Sequence, residues 1–155
     1  MKIQRIYIDT SVIGGCFDPE FEKWSNGLIT DFNNGIYMPV LSEITTIEIN
    51  KAPEFVKLKY TEILELKPEI LVVGDETLEL LQSYKAHNIL GEKFRNDLLH
   101  IALATVSEVD ILVSWNFKHI VHFDKIMLFN AVIIELGFKP LNIFSPREVT
   151  TYEQD

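Results

Sequence analysis

Strand-like and helix-like segments alternate along this chain from end to end, and that alternation limits the fold more than any other feature. Segment 3–8 (Ile-Gln-Arg-Ile-Tyr-Ile) is rich in β-branched and aromatic residues and stops at Asp9. Phe21, Trp24, Leu28, Ile29 and Phe32 then fall at helical spacing, so 21–34 reads as a helix with Gly35 as its C-cap. Segments 36–41, 70–73, 111–114 and 141–144 read as further strands, with Pro39 counting against a central ladder position for the first of these. Helices are predicted over 44–50, 53–66, 75–87, 96–106 and 126–136. In helix 75–87, Asp75 is expected to cap, and Leu78, Leu81 and Tyr84 (or Leu80) to form the buried stripe. Ser145-Pro146-Arg147-Glu148 has the form of a capping box with proline at the first helical position. Strands alternating with helices imply a parallel sheet covered on both faces. The expectation is one α/β domain over 1–155, three-layer α/β/α with a mostly parallel central sheet and no internal repeat or linker.

At 155 residues, 47% apolar and 24% charged, the chain has the size and balance of one globular domain with a genuine core. No apolar run approaches the roughly 18 residues that span a bilayer. Residues 1–5 lack a secretory pattern, and Cys16 is the only cysteine, which excludes an internal disulfide and a cysteine-based zinc cluster. Both features point to the cytoplasm and away from a membrane. The net charge of −9 argues against broad electrostatic binding of nucleic acid. The basic residues are nevertheless unevenly placed: Lys93 and Arg95 precede Asp97, while Lys118, His119, His122 and Lys125 follow Asn116.

In open parallel sheets, ligands bind beyond the carboxyl ends of the strands. Asp9 follows the first strand, Glu48 lies a few residues past the second, Asp97 opens the helix leading into the fourth, and Asn116 follows that strand. All four can face one end of the sheet. Carboxylates at such positions add little to stability, so their convergence points to a hard divalent cation, Mg²⁺ or Mn²⁺. Asp9 and Asp97 are expected within one metal-binding radius of each other, and two such carboxylates without metal raise the proton affinity of one member. Each position also has a plainer reading: Asp9 as a helix cap, Glu48 as an exposed helix residue, Asp97 as a dipole-favoured charge, and Asn116 as a turn-former. Glu43 reads as a surface or cap residue, Asp110 as a turn residue, and Asp124 as the cap of the last long helix. His100 is expected to be hydrogen-bonded and partly buried rather than in contact with substrate. Trp24 and Trp115 read as core or interface residues, and Gly14-Gly15 lacks the third glycine of a dinucleotide fingerprint.

Four stretches also resemble, in order, the motifs of PIN-domain ribonucleases, and are most similar to VapC-type toxins of bacterial toxin–antitoxin pairs. They are Ile-Asp-Thr-Ser-Val (8–12), Thr-Thr-Ile-Glu-Ile around Glu48, Asn-Asp-Leu-Leu-His-Ile-Ala-Leu-Ala from Asn96, and Leu-Val-Ser-Trp-Asn-Phe (112–117). The resemblance runs from about Ile3 to Val149. It implies a PIN-like domain, a Mg²⁺- or Mn²⁺-dependent endoribonuclease, an antitoxin partner and a homodimer. Asp9, Glu48 and Asp97 would be the acidic metal ligands, and Thr10 or Ser11 would orient a ligand water or touch phosphate. Ser114, Lys118 and His119 would meet the RNA. Asn116 departs from the pattern, standing where the family usually has Asp; its amide oxygen can coordinate a hard cation but brings no charge. Two other readings remain open. One is a catalytically weak or silent PIN-like module that binds RNA or protein. The other is a phosphatase-like hydrolase with Asp9 as nucleophile, which would want a second Asp at position 11, where Ser stands.

Overall fold

Five strands, β1 (Gln4–Ile8), β2 (Tyr37–Ser42), β3 (Glu69–Leu71), β4 (Ile111–Val113) and β5 (Ile143–Phe144), form one sheet in the computed structural model, which describes residues 2–151. The strand order is β3-β2-β1-β4-β5 and every pairing is parallel. Period-two alternation divides the side chains between two cores. Ile6, Ile8, Leu41 and Val113 point to one face; Tyr7, Val40 and Leu112 point to the other.

The first face is covered by α1 (Thr10–Gly15), α2 (Glu22–Asn33), α4 (Glu54–Leu64) and α8 (Pro146–Val149), whose Val12, Leu28, Val56 and Val149 join its core. The second is covered by α5 (Asp75–Ala86), α6 (Arg95–Val106) and α7 (Phe123–Glu135), through Leu81, Ala102 and Phe129. The short α3 (Glu43–Ile49) sends Ile44 to one core and Ile49 to the other. The result is the expected three-layer α/β/α architecture. No helix among the described residues is long and apolar enough to cross a membrane.

Local sequence signals explain several boundaries. Ser42 ends β2 and caps α3, its hydroxyl accepting from Ile44 N at 3.2 Å. Ser145 and Glu148 close the capping box of α8 with Pro146 at its first position. Gly35 takes φ +73° just past α2, a left-handed conformation that glycine adopts without steric cost.

Four expectations are corrected. β2 lies inside the sheet despite Pro39; β3 pairs with it only from Val40 onward, so at Pro39 the ladder faces β1 alone. Gly74, not Asp75, holds the N-cap position of α5, and His122, not Asp124, that of α7; each carboxylate sits within the first turn, where the helix dipole favours it without a cap bond. Leu78 is exposed, and the buried stripe of α5 is Thr77, Leu80, Leu81 and Tyr84.

Candidate active site

Asp9 leaves β1 at the carboxyl end of the sheet, in the N-cap position of α1, yet its side chain makes no cap hydrogen bond. The ladder register explains where it goes instead. Ile8 pairs with Val113, so the next residues, Asp9 and Ser114, leave their strands side by side. The Ser114 hydroxyl donates to Asp9 Oδ2 at 2.6 Å, and the Ser11 hydroxyl, from the first turn of α1, donates to Oδ1 at 2.6 Å. Asp9 is only 4% exposed. Burial pushes its carboxyl above the usual carboxylate range, and the charge of Glu48 adds to the rise; nearby His100 and the two hydroxyls oppose it without cancelling it.

Glu48, on the last turn of α3, is held from two sides. Thr10 Oγ1 donates to its Oε1 at 2.9 Å, and His100 Nε2 lies 2.6 Å from the same oxygen. An ionised carboxylate only accepts, so the imidazole Nε2–H is the donor. The other ring nitrogen, Nδ1, is hydrogen-bonded to the Tyr7 hydroxyl at 2.6 Å, and Tyr7 donates to Ser42 Oγ at 2.8 Å. Burial alone would raise the Glu48 carboxyl, but the hydrogen bond and charge of His100, with the Thr10 hydroxyl, hold it below its ordinary value. Burial raises the Tyr7 phenol, which therefore stays neutral. The sequence predicts a hydrogen-bonded, partly buried His100; the ring is fully buried and bonded at both nitrogens, and its service to Glu48, 52 residues away in the chain, was not legible there.

Asp97 and Asn116 both engage His119 rather than Asp9 or Glu48. Asp97 Oδ2 lies 3.1 Å from His119 Nδ1, and the His119 ring packs on Phe94 with centroids 3.9 Å apart. Asn116 Oδ1 accepts from His119 N at 3.0 Å, so its amide oxygen supports its own turn. Asn116 N donates to Ser114 Oγ, the same hydroxyl that donates to Asp9. Asp97 is thus tied to Asp9 through His119, Asn116 and Ser114, with no hydrogen bond between the two carboxylates themselves. The carboxylate that raises Asp9 is Glu48. Lys118 is exposed beside this turn, as are Lys93 and Arg95 ahead of Asp97, whereas Lys125 donates to Ile89 O at 2.7 Å.

Two other acids have structural roles. Glu43 accepts from Val73 N at 3.1 Å, and Asp110, at the opposite end of the sheet, accepts from Arg5 N at 2.7 Å. The hydroxyls of Ser11 and Ser114 hold Asp9, and that of Thr10 holds Glu48. Trp115 is buried: its Nε1 donates to Ser25 Oγ at 2.8 Å and its backbone N to Ser11 Oγ at 2.9 Å.

The donors at this end of the sheet are carboxylate and hydroxyl oxygens, the chemistry of a hard cation site. Among the described residues, no three carboxylate, imidazole or thiol side chains enclose a cation by themselves. Mg²⁺ does not demand such a cage, since one or two carboxylates with water and phosphate commonly hold it. Each oxygen of Asp9 accepts one hydrogen bond and keeps a second acceptor position. A buried carboxylate whose partners are hydroxyls, beside a second carboxylate, is the feature that a divalent cation would relieve. Asp9 and Glu48 therefore have the donor chemistry to hold such a cation.

No protein-family model and no curated protein matches the chain. Among solved structures, it is similar to a chain of VapBC2 from Rickettsia felis, solved bound to a DNA fragment from their promoter. The two share 16% identity at a TM-score of 0.59, over 92% of this chain and 98% of the other. At that identity the likeness establishes a shared fold.

Proposed function

We propose that this chain is a Mg²⁺- or Mn²⁺-dependent endoribonuclease of the PIN kind, acting as the toxin of a toxin–antitoxin pair. The observation that carries the reading is Asp9: buried at the carboxyl end of a parallel sheet, raised in proton affinity, held by two serine hydroxyls, and accompanied by Glu48. The VapC-like fold and the ordered motifs support it.

Asp9 and Glu48 would hold the cation, with Asp97 and Asn116 joining through water or after a shift of the His119 turn. When bound, the cation supplies an acidified water and offsets charge on the phosphate undergoing attack. Ser11 and Ser114 fix the rotamer of Asp9. His100 holds Glu48 ionised and oriented, a support of the kind that metal ligands ordinarily need. His119, with Lys118, Lys93 and Arg95 around it, faces the strand's phosphates, and its bond to Asp97 keeps the ring in place. The overall negative charge favours the cation over the RNA, so binding of the strand leans on metal-bridged phosphate. The VapBC2 relative was solved as an assembly, which supports an antitoxin for this chain. Exposed Phe55 and Leu58 on α4 and Phe123, Met127 and Ile134 on α7 offer apolar surface for that partner or for a homodimer.

A silent binding module is the second reading, favoured by Asn116 spending its oxygen on His119 N. Purified chain incubated with single-stranded RNA separates the two. The nuclease reading expects cleavage in Mn²⁺, its loss in EDTA and its return on adding Mn²⁺. It also expects Asn116→Asp to tighten Mg²⁺ binding, because added ligand charge raises hard-cation affinity. RNA left intact at millimolar Mn²⁺ by a folded chain that still binds it would establish the silent module instead.

A further inference from the structure

We propose that the cleft between α1 and Phe21, opening beside Asn116, is a stacking subsite for one unpaired RNA base next to the phosphate presented to Asp9. The proposal takes its substrate class from the nuclease reading. The cleft measures about 420 Å³, at the small end of the roughly 300–1,000 Å³ that small ligands occupy. It is lined by Gly14 and Gly15, by the stacked rings of Phe21 and Trp115, and by Ser11, Asp18 and Asn116. Ser11 is the residue whose hydroxyl holds Asp9, so the cleft begins one side chain away from that carboxylate.

The aromatic wall is fixed in place. Phe21 lies nearly parallel on Trp115, with centroids 4.1 Å apart and planes 17° apart. Phe117, 48% exposed, meets Trp115 edge-on at 6.0 Å and extends the aromatic surface outward. Trp115 is anchored through both its nitrogens, to Ser25 and Ser11. A Cβ on Gly15 would lie 2.6 Å from Trp115 Nε1, so the close approach of this ring requires glycine there. At Gly14 an added Cβ would meet nothing within 4 Å. That position faces open space.

Charge selects the occupant. Asp18 lines the cleft, and the chain carries −9 overall, which disfavours a phosphate inside it. A base is neutral and offers a π face to Phe21 and amino protons to Asp18. Stacking of bases on aromatic rings does not depend on neutralising phosphates and tolerates any sequence. It is the binding mode open to an acidic protein that must hold a polyanion. The exposed Lys118 and the His119–Asp97 pair lie beyond Asn116, where the adjoining phosphates would run.

The test uses the full chain at high concentration in EDTA, so that the strand remains intact and the metal-bridged phosphate adds nothing to the binding that is read. The probes are a short single-stranded RNA carrying one 2-aminopurine and the same strand with an abasic sugar at that position. Binding is expected to quench the 2-aminopurine, and the abasic strand to bind about tenfold more weakly. Gly14→Leu fills the cleft from a position with open space, and Phe21→Ala removes the wall. Each is expected to weaken binding of the intact strand by about ten- to a hundredfold and to abolish the quench. Circular dichroism and Mn²⁺ affinity establish that each variant is folded with its metal site formed. Equal affinity of wild type for the two strands, or a Gly14→Leu chain that quenches like wild type, overturns the subsite and leaves a partner protein's apolar side chain as the cleft's occupant. Stacking without Mn²⁺-dependent cleavage sinks the nuclease reading alone, and cleavage without stacking sinks the subsite alone.

Discussion

The two ends of the sheet treat their carboxylates in opposite ways. At the amino end, Glu69 on β3 receives the Arg5 guanidinium at 2.8 and 3.0 Å, and the same arginine donates to Ser107 O at 2.8 Å. Asp110 takes the Arg5 backbone N–H. Each acid there has a donor supplied by the fold, and the Arg5–Glu69 pair is partly open to water. At the carboxyl end, Asp9 is buried, its bonds come from hydroxyls, and a second carboxylate stands near enough to raise its proton affinity further. Acids at the amino end are neutralised as structure. Asp9 at the carboxyl end is left incompletely neutralised within a frame of Ser11, Ser114, Thr10 and His100, and the proposed cation would complete it.

Asp9→Asn is the strongest way to break this contrast. The amide has the shape of the acid, removes the charge that burial opposes, and can keep one serine hydroxyl bond. Mn²⁺ affinity is expected to collapse and RNA cleavage to fall by on the order of 10²–10³-fold, the scale of losing one essential electrostatic group. Stability to urea is expected to hold or to rise, because neutral replacement of a poorly compensated buried charge is commonly neutral or favourable. A variant that loses several kcal/mol of stability while keeping its Mn²⁺ affinity would place Asp9 with the structural acids of the other end.

His100→Leu comes next. The substitution fills much of the same volume but leaves Glu48 without its imidazole donor and Tyr7 with Ser42 alone. A stability loss of about 1–3 kcal/mol is expected from the unpaired groups. Cleavage is expected to fall by about 10–100-fold, the usual effect of removing a partner of a metal ligand. Raising Mn²⁺ should recover much of the activity, since Glu48 remains present but less ionised and less oriented. Activity that no concentration of Mn²⁺ restores would show that His100 does more than position Glu48.

A smaller effect separates the two acids by pH. The raised Asp9 carboxyl contributes stability that is complete below its ordinary value of 3.8 and is lost as pH climbs through the raised one. Glu48, lowered from 4.5, contributes stability that is present above that value and is lost as pH falls through the lowered one. Above its ordinary value of 4.5 Glu48 therefore contributes fully, and a further fall in stability with rising pH belongs to Asp9. In EDTA, wild type is expected to lose stability relative to Asp9→Asn as pH rises over that range. Saturating Mn²⁺ is expected to remove the decline, because the cation takes the proton's place. A pH-independent difference between the two proteins in EDTA would show that Asp9 is already compensated.

Much of this was legible because the signals are local. The β-branched and aromatic run that ends at Ile8, the helical spacing from Phe21 to Phe32, and the box from Ser145 to Glu148 each fix one element through neighbours in the chain. The carboxyl-end placement of Asp9 followed from the fold class alone. The hydrogen-bonded frame did not, because it depends on strand order and register. Ser114 reaches Asp9 only because Ile8 pairs with Val113, and His100 reaches Glu48 only because α6 packs on the face to which Tyr7 points. Leu78 and Leu80 fit helical spacing equally, and tertiary packing chose Leu80. Asp75 and Asp124 looked like caps because acids favour the first turn of a helix as well as the cap position. In Asn116 the sequence offered a ligand and a turn-former, and its oxygen was found on His119 N.

The smallest expected effect is Glu69→Gln at the amino end, and it tests the contrast from its quiet side. The amide keeps an oxygen to accept one Arg5 hydrogen bond, and Arg5 also retains Ser107. Glu69 has a side chain 40% exposed, so water screens what charge the pair contributes. The loss of stability to urea is expected to stay below about 1 kcal/mol, and to shrink further in high salt. Mn²⁺ affinity and RNA cleavage are expected to match wild type, because nothing in the carboxyl-end frame touches this pair. If Glu69→Gln lowered Mn²⁺ affinity as far as Asp9→Asn does, the cation would answer to the summed charge of an acidic protein rather than to one built end of its sheet.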